Sequence, residues 1–217
     1  MKKSKLPFTA VLLAGGESKR MGMDKVFLKL GKERLIDLVF RKLNKLFAEV
    51  IIVTDRRREL SYLPANITED LFGEGPKCAL RGIHAGLSLA TNASSFIVGC
   101  DMPFISPPLI RYMSRFALEF DVVVPYLGEH YQPLFAFYRK EILDNITWHL
   151  QEDKLKLTGI YPHLRVKCIE EKTIRSFDPL MLSFHNLNTK ENYFQAQKLY
   201  NLSQSRFILQ RHGETNK

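Results

Sequence analysis

The chain predicts an α/β fold with a mostly parallel sheet, and three observations predict it. Strand-like and helix-like segments alternate over most of the 217 residues. The first apolar stretch is short, continuous and bounded by glycine, the pattern of a strand buried on both faces. No internal repeat, low-complexity tract or linker interrupts the alternation. Alternation of this kind builds βαβ units, and right-handed crossovers place their helices on both faces of the sheet.

Residues 8–14 (FTAVLLA) supply the first strand and run into Gly15-Gly16. The basic start ahead of this run has the outline of a secretory leader. However, it ends in glycines and charges with no small-x-small cleavage site, and it reads better as a strand. Within residues 32–46, Leu35, Leu38, Val39, Lys42, Leu43 and Leu46 recur at helical spacing. Residues 49–54 read as the second strand and 67–70 as a short third. A helix is expected over 80–90, then a strand over 95–100 that runs into Asp101. Ser106 followed by Pro107-Pro108 is a helix start, with Ser as cap and Pro in the first turn. That helix is expected to reach about residue 118. Residues 121–125 and 133–138 are further strands, 139–150 a helix, 165–169 a strand, and 189–200 a last helix capped by Thr189. The two strand-like pieces around Gly128 call for at least one antiparallel strand. The predicted whole is a Rossmann-like three-layer sandwich.

Composition narrows the function. Hydrophobic residues make up 45% and charged residues 25%, the balance of a soluble globular protein rather than a disordered one. No run approaches the ~18 apolar residues of a membrane span. Cys78, Cys100 and Cys168 are far apart and form no CxxC pair, so neither zinc nor disulfide chemistry is indicated; a reducing, cytoplasmic location is expected. The formal charge is +9, and residues 1–58 carry all of the excess, with 15 Lys or Arg against 6 Asp or Glu. Such a half calls for an anionic partner, either small phosphates or nucleic acid. Lys2, Lys3, Lys5, Arg41, Lys42 and Lys45 are expected to be solvated helix or terminal charges.

In open α/β sheets ligands bind beyond the carboxyl ends of the strands. After the first strand comes Leu13-Ala14-Gly15-Gly16-Glu17-Ser18-Lys19-Arg20-Met21-Gly22-Met23-Asp24-Lys25. Its glycines let backbone N–H groups approach phosphate oxygens. Arg20 offers a planar fork to a phosphate and Lys25 a point charge. The string is neither a GxxxxGK[ST] loop nor GxGxxG, which argues against GTPases, kinases and dehydrogenases. After the fourth strand comes Gly99-Cys100-Asp101-Met102-Pro103-Phe104-Ile105. A single carboxylate there suits Mg²⁺, which takes one or two carboxylates and completes its shell with phosphate and water. No DxD is present, which makes a sugar-transferring glycosyltransferase less attractive.

The string LAGGxSxRMGxDK after an amino-terminal strand resembles the molybdenum cofactor guanylyltransferases, and its shorter form LAxGxxxRMG resembles the wider nucleotidyltransferase superfamily. The resemblance spans roughly residues 8–200 and rests on four ordered segments. It implies GMP transfer from GTP to molybdopterin, with Mg²⁺ as cofactor. Leu13, Ala14 and Gly15 would contact the nucleotide through the backbone. Arg20 and Lys25 would stabilise the triphosphate and the leaving pyrophosphate, and Asp101, in a string like the family's DMPFI, would hold the metal. Asp70 matches the Asp that contacts the nucleotide. Gln132-Pro133-Leu134 resembles the family's QPL. Asn186 and Asn188 match its F-x-N-x-N-T segment and would bind the acceptor, amides offering a pterin both donors and acceptors. Two departures stand out. Residues 75–83 are longer than the family's GPLxGI segment, and Thr54 stands where some members have Asn.

Residues 1–201 are expected to form one nucleotidyltransferase domain. Residues 206–215 resemble the RHGE opening of the histidine phosphatases, a fold that needs a long chain after the motif. The tail, 202–217, is therefore expected to be poorly ordered. Expected partners are GTP, the molybdopterin acceptor and other cofactor-biosynthesis proteins, with no membrane and no nucleic acid. Two enzyme alternatives stay open: a molybdopterin cytidylyltransferase and a sugar- or isoprenoid-phosphate nucleotidyltransferase. Two others are a basic nucleic-acid-binding module and an inactive scaffold.

Overall fold

In the computed structural model residues 4–15, 27–72 and 77–214 are described, with the backbone alone for 203–214. The chain opens with β1 (Leu6–Leu13), whose side chains alternate between two cores. Phe8, Ala10 and Leu12 face one, and Val11 faces the other. A small hairpin follows, β2 (Lys29–Leu30) and β3 (Glu33–Arg34). Gly31 takes φ +64 at its first turn position, where a type II′ turn favours glycine. This hairpin delays α1 (Leu35–Leu46), which starts three residues later than its periodicity alone suggests.

The chain then forms β4 (Phe47–Val53), a one-turn α2 (Arg57–Leu60), β5 (Asn66–Thr68), α3 (Ala79–Leu89) and β6 (Ser94–Gly99). Next is α4 (Pro107–Met113), where the Ser106 hydroxyl accepts the Leu109 N–H and a proline enters the first turn, as the sequence indicates. A short 3₁₀ turn replaces the helix's expected last turn. After β7 (Val122–Leu127), β8 (His130–Tyr131) and β9 (Phe135–Arg139) come α5 (Leu143–Gln151), β10 (Val166–Glu170), α6 (Glu171–Phe177) and α7 (Lys190–Glu214). Thr189 caps α7 by accepting the Asn192 N–H at 3.1 Å. Helical backbone continues to Glu214, past the expected end near residue 200.

The main sheet has the order β10-β7-β9-β6-β1-β4-β5, with β8 beside β7. β1 pairs in parallel with β4 and with β6, and β4 with β5. β9 runs antiparallel to both its neighbours, β6 and β7, while β7 pairs in parallel with β10. The antiparallel element expected around residues 125–137 is therefore β9, together with the short β8. Helices α1, α4 and α6 bury apolar residues against one face of the sheet, and α3 and α5 against the other. That is the three-layer sandwich. Among the described residues no helix is long and apolar enough to cross a membrane.

Two local features decide how the layers meet. Gly86 of α3 lies against β1: a Cβ there would fall 2.3 Å from a Val11 methyl, so the helix seats on the strand only because the side chain is missing. At the other end of β1, Glu49 accepts hydrogen bonds from Thr9, the Thr91 hydroxyl and the Thr91 N–H, and fastens the turn before β6.

Candidate active site

The chain steps from β1 to β4 on one side and later inserts β6 on the other. The order reverses at β1, and the crevice beyond the carboxyl ends of β1 and β6 is where such sheets bind ligands. Leu13, Ala14 and Gly15 leave β1 into that crevice. The Leu13 carbonyl accepts the Cys100 N–H at 3.0 Å, and the Ala14 N–H donates to Val53 at 2.9 Å. The Thr54 hydroxyl donates to the Ala14 carbonyl at 2.9 Å and accepts the Arg56 N–H at 3.0 Å. Thr54 is buried and braces the end of β1. Gly15 is exposed, and no described atom lies within 4 Å of where its side chain would stand. Arg20 and Lys25 lie outside the described residues. Past the loop, the Phe27 ring has the Arg34 and Arg56 guanidinium carbons 5.6 and 5.9 Å from its centroid. These two basic groups were not singled out from the sequence, since only folding brings residues 27, 34 and 56 together.

Asp101 follows β6 directly. Its Oδ1 lies 2.6 Å from where a Cβ on Gly99 would be, so glycine is what gives the carboxylate its place. Backbone contacts fix the turn: Met102 N–H reaches the Gly99 carbonyl at 3.3 Å, and Leu187 N–H reaches the Asp101 carbonyl at 3.0 Å. Among the described residues no three His, Cys, Asp or Glu side chains gather as a metal cage. The Asp101 carboxylate, next to the end of β1, suits Mg²⁺ better than an ion that needs an all-protein shell.

Asp70 follows β5, two strands away from β1, on the far flank of the crevice. One oxygen accepts the Phe72 N–H at 2.9 Å, and the other lies 3.7 Å from the Arg81 guanidinium, which is buried on α3. Phe72 meets the His84 ring edge-on at 5.0 Å between centroids. The Thr147 hydroxyl donates to Leu143, so it accepts from His84 Nε2–H at 3.1 Å. Burial lowers the His84 pKa, and the Asp70 charge opposes that shift. At the end of β4, Lys77 donates to Asp55 at 2.6 Å, and that bond foremost lowers the Asp55 pKa. Arg81 had a visible signal: a guanidinium inside an otherwise apolar helix must find a buried partner.

Asn186 and Asn188 lie on the loop before α7, and Leu187 between them is the residue bonded to Asp101. The Asn186 carbonyl accepts the Asn188 N–H and the Asn192 side-chain amide, both at 3.0 Å. The Asn186 Oδ1 is buried and has no hydrogen-bond partner among the described residues, an acceptor available to a ligand. Gln132 leads into β9, the neighbour of β6, at the same edge of the sheet. Of the expected site residues, Gly15, Asp101 and the 186–188 loop are brought to one end of the sheet, and Asp70 marks its flank.

Fold and site together define a nucleotidyltransferase-type α/β protein: a crevice at the strand-order reversal, the Asp101 carboxylate after β6, and the 186–188 amide loop bonded to its turn. Residues 10–164 match the MobA-like NTP transferase domain, and the chain belongs to that family. A probable molybdenum cofactor guanylyltransferase of Pelotomaculum thermopropionicum is 40% identical over 193 residues, covering 88% of this chain and 93% of the relative. The molybdenum cofactor guanylyltransferase of Desulfosudis oleivorans is 37% identical over 193 residues, covering 87% and 94%. In structure, molybdopterin-guanine dinucleotide biosynthesis protein A of Archaeoglobus fulgidus superimposes with TM-score 0.78 at 24% identity, covering 88% of this chain and 98% of that one. At that identity the likeness speaks for the fold.

Proposed function

We propose that this protein transfers GMP from GTP to the terminal phosphate of molybdopterin, releasing pyrophosphate and making the guanine dinucleotide form of the molybdenum cofactor. The observation that carries the reading is the hydrogen bond from Leu187 to the Asp101 carbonyl. It ties the turn that carries the Asp101 carboxylate, assigned to the nucleotide side, to the amide loop assigned to the acceptor side, an arrangement suited to bringing two phosphorylated substrates together.

The acceptor phosphate is already ionised, so attack at the α-phosphorus in line with pyrophosphate needs no general base. The chain's work is positioning and charge neutralisation. Leu13, Ala14 and Gly15 line the entry of the triphosphate, with Gly15 leaving its surface open. Arg20 and Lys25 are assigned to the triphosphate and the departing pyrophosphate, and Asp70 to the nucleoside. Asp101 would hold Mg²⁺, which would supply positive charge to the reacting phosphoryl group. Asn186 and Asn188 orient the pterin, the unpartnered Asn186 oxygen accepting from a ring N–H or amino group. The reaction belongs in the cytoplasm, where other cofactor-biosynthesis proteins would deliver the acceptor.

The test is transfer by the purified protein with Mg²⁺ and molybdopterin cofactor, offering GTP, CTP and ATP separately. Guanylylated product and pyrophosphate from GTP alone, lost in Asp101→Ala, is the expected result. Product from CTP instead moves the protein to the cytidylyl branch with the same fold and site. No product from any of the three, with the acceptor verified on a control enzyme, refutes the acceptor assignment.

A further inference from the structure

The apolar stripe of α1 carries one charge. Leu35, Leu38, Val39, Leu43 and Leu46 are buried. Lys42, three residues after Val39 and four before Leu46, lies on the same stripe. The expectation of a solvated lysine fails here: Lys42 is partly buried and donates to the Pro103 carbonyl at 2.6 Å. Burial lowers its pKa to about 8. A leucine or methionine at this position would pack without that desolvation penalty, so the ammonium is unfavourable for the helix itself.

Pro103 is two residues beyond Asp101. Hydrogen bonds among the described residues hold the Asp101–Pro103 turn. Leu187 donates to the Asp101 carbonyl, Met102 donates back to Gly99, and Lys42 donates to Pro103. Two of these are neutral backbone bonds, while the third is charge-assisted and comes from α1. Without it the buried Pro103 carbonyl loses its charged donor and the turn is held less firmly.

We propose that Lys42 is a positioning residue for the Asp101 carboxylate, fixing the turn that presents it to metal and nucleotide. The proposal rests on the reading of Asp101 as the carboxylate that holds the metal. Lys42 touches no substrate; it acts through Pro103.

The full-length protein, Lys42→Met and Lys42→Arg are compared by three measurements: thermal unfolding, the Mg²⁺ concentration that half-saturates GMP transfer, and binding of Mn²⁺ with GTP followed by electron paramagnetic resonance. Lys42→Met is expected to melt at or above the wild-type temperature. It is expected to need about tenfold more Mg²⁺ and to bind Mn²⁺ with GTP about tenfold more weakly, the factor set by one hydrogen bond to a charged group. Lys42→Arg recovers most of both losses. Unchanged metal dependence in Lys42→Met overturns the proposal. So does a lower melting temperature with metal affinity intact, the outcome of a purely structural lysine. If the wild type transfers nothing from GTP, the transfer reading fails and the Mn²⁺ comparison alone decides the role of Lys42. Equal Mn²⁺ affinity with GTP in both proteins then overturns it, and no Mn²⁺ binding with GTP by the wild type overturns both.

Discussion

Replacing Gly99 by alanine separates the site from the fold. The new Cβ would stand 2.6 Å from the Asp101 Oδ1, where ordinary contact begins at 3.4 Å. The oxygen must therefore retreat by about 0.8 Å, the difference between those two distances. The retreat is cheap for folding, because the clashing atom is the end of a rotatable side chain. Removing a glycine from a strand also returns roughly 0.5–1 kcal/mol of backbone entropy. For catalysis the same movement is large, since a misplacement of about 1 Å in a positioned group costs on the order of 100-fold in rate. Gly99→Ala is expected to keep the wild-type urea midpoint within about 1 kcal/mol of stability. Its kcat/KM for GTP is expected to fall roughly 10- to 100-fold, with a higher Mg²⁺ requirement. Steady-state transfer across a Mg²⁺ titration, beside equilibrium unfolding of the same preparations, measures both. Wild-type kinetics in a stable Gly99→Ala protein would refute the reasoning, because a displaced Asp101 carboxylate would then be irrelevant to the reaction.

The remaining predictions concern packing and charge. Gly86→Ala should show the opposite pattern: its Cβ would meet the Val11 side chain at 2.3 Å inside the core, and urea unfolding should register a loss of about 1–3 kcal/mol. The Lys42 pKa is lower in the folded chain, about 8, than in the unfolded one, so the unfolded state binds more protons above that pH. Stability should rise from pH 8 toward the unfolded value near 10.5, by up to roughly 3 kcal/mol, and Lys42→Met should flatten that slope in unfolding measured at several pH values. Asp121 binds Arg165 through two side-chain bonds, and foremost through them its pKa is held below the usual carboxylate value. Its contribution is present above the unfolded pKa of about 3.9 and is lost as pH falls through the lower folded value. Asp121→Asn should therefore lower stability at neutral pH and match the wild type at the acid end.

Most of the framework was legible because it depends on local pattern. The strands after which Gly15, Asp70 and Asp101 fall, and the Ser106 and Thr189 caps, all follow from periodicity and capping chemistry. Features set by contacts distant in sequence were not. Strands β2 and β3, two residues each, carry too little pattern to be seen beside the helical period that follows. Lys42 illustrates the same limit. Its type and spacing were visible, but its solvation depends on residue 103 arriving opposite it. The motif residues show what chemistry is available, whereas Gly99, Thr54 and Lys42 govern where that chemistry is held, and their roles emerge only from the folded contacts.

Those contacts also tie together the loops proposed for the nucleotide and acceptor sides. Leu28 and Leu30, just past the phosphate loop, pack with Leu187 of the amide loop and Ala196 of α7, and Phe104 of the Asp101 turn packs against the same cluster. The Tyr193 hydroxyl donates to the Lys29 carbonyl at 2.6 Å, and the Tyr200 ring fills the space that a side chain on Gly31 would need. Helix α7 thus clamps the β2–β3 hairpin, while the loop before it holds the Asp101 turn. The cluster is small and separate from the two cores that flank the sheet. Loosening it would therefore disturb the three site loops together more than it would disturb the sheet. A molecule that must align two anionic substrates gains from such a cluster, because each loop's position then depends on the others.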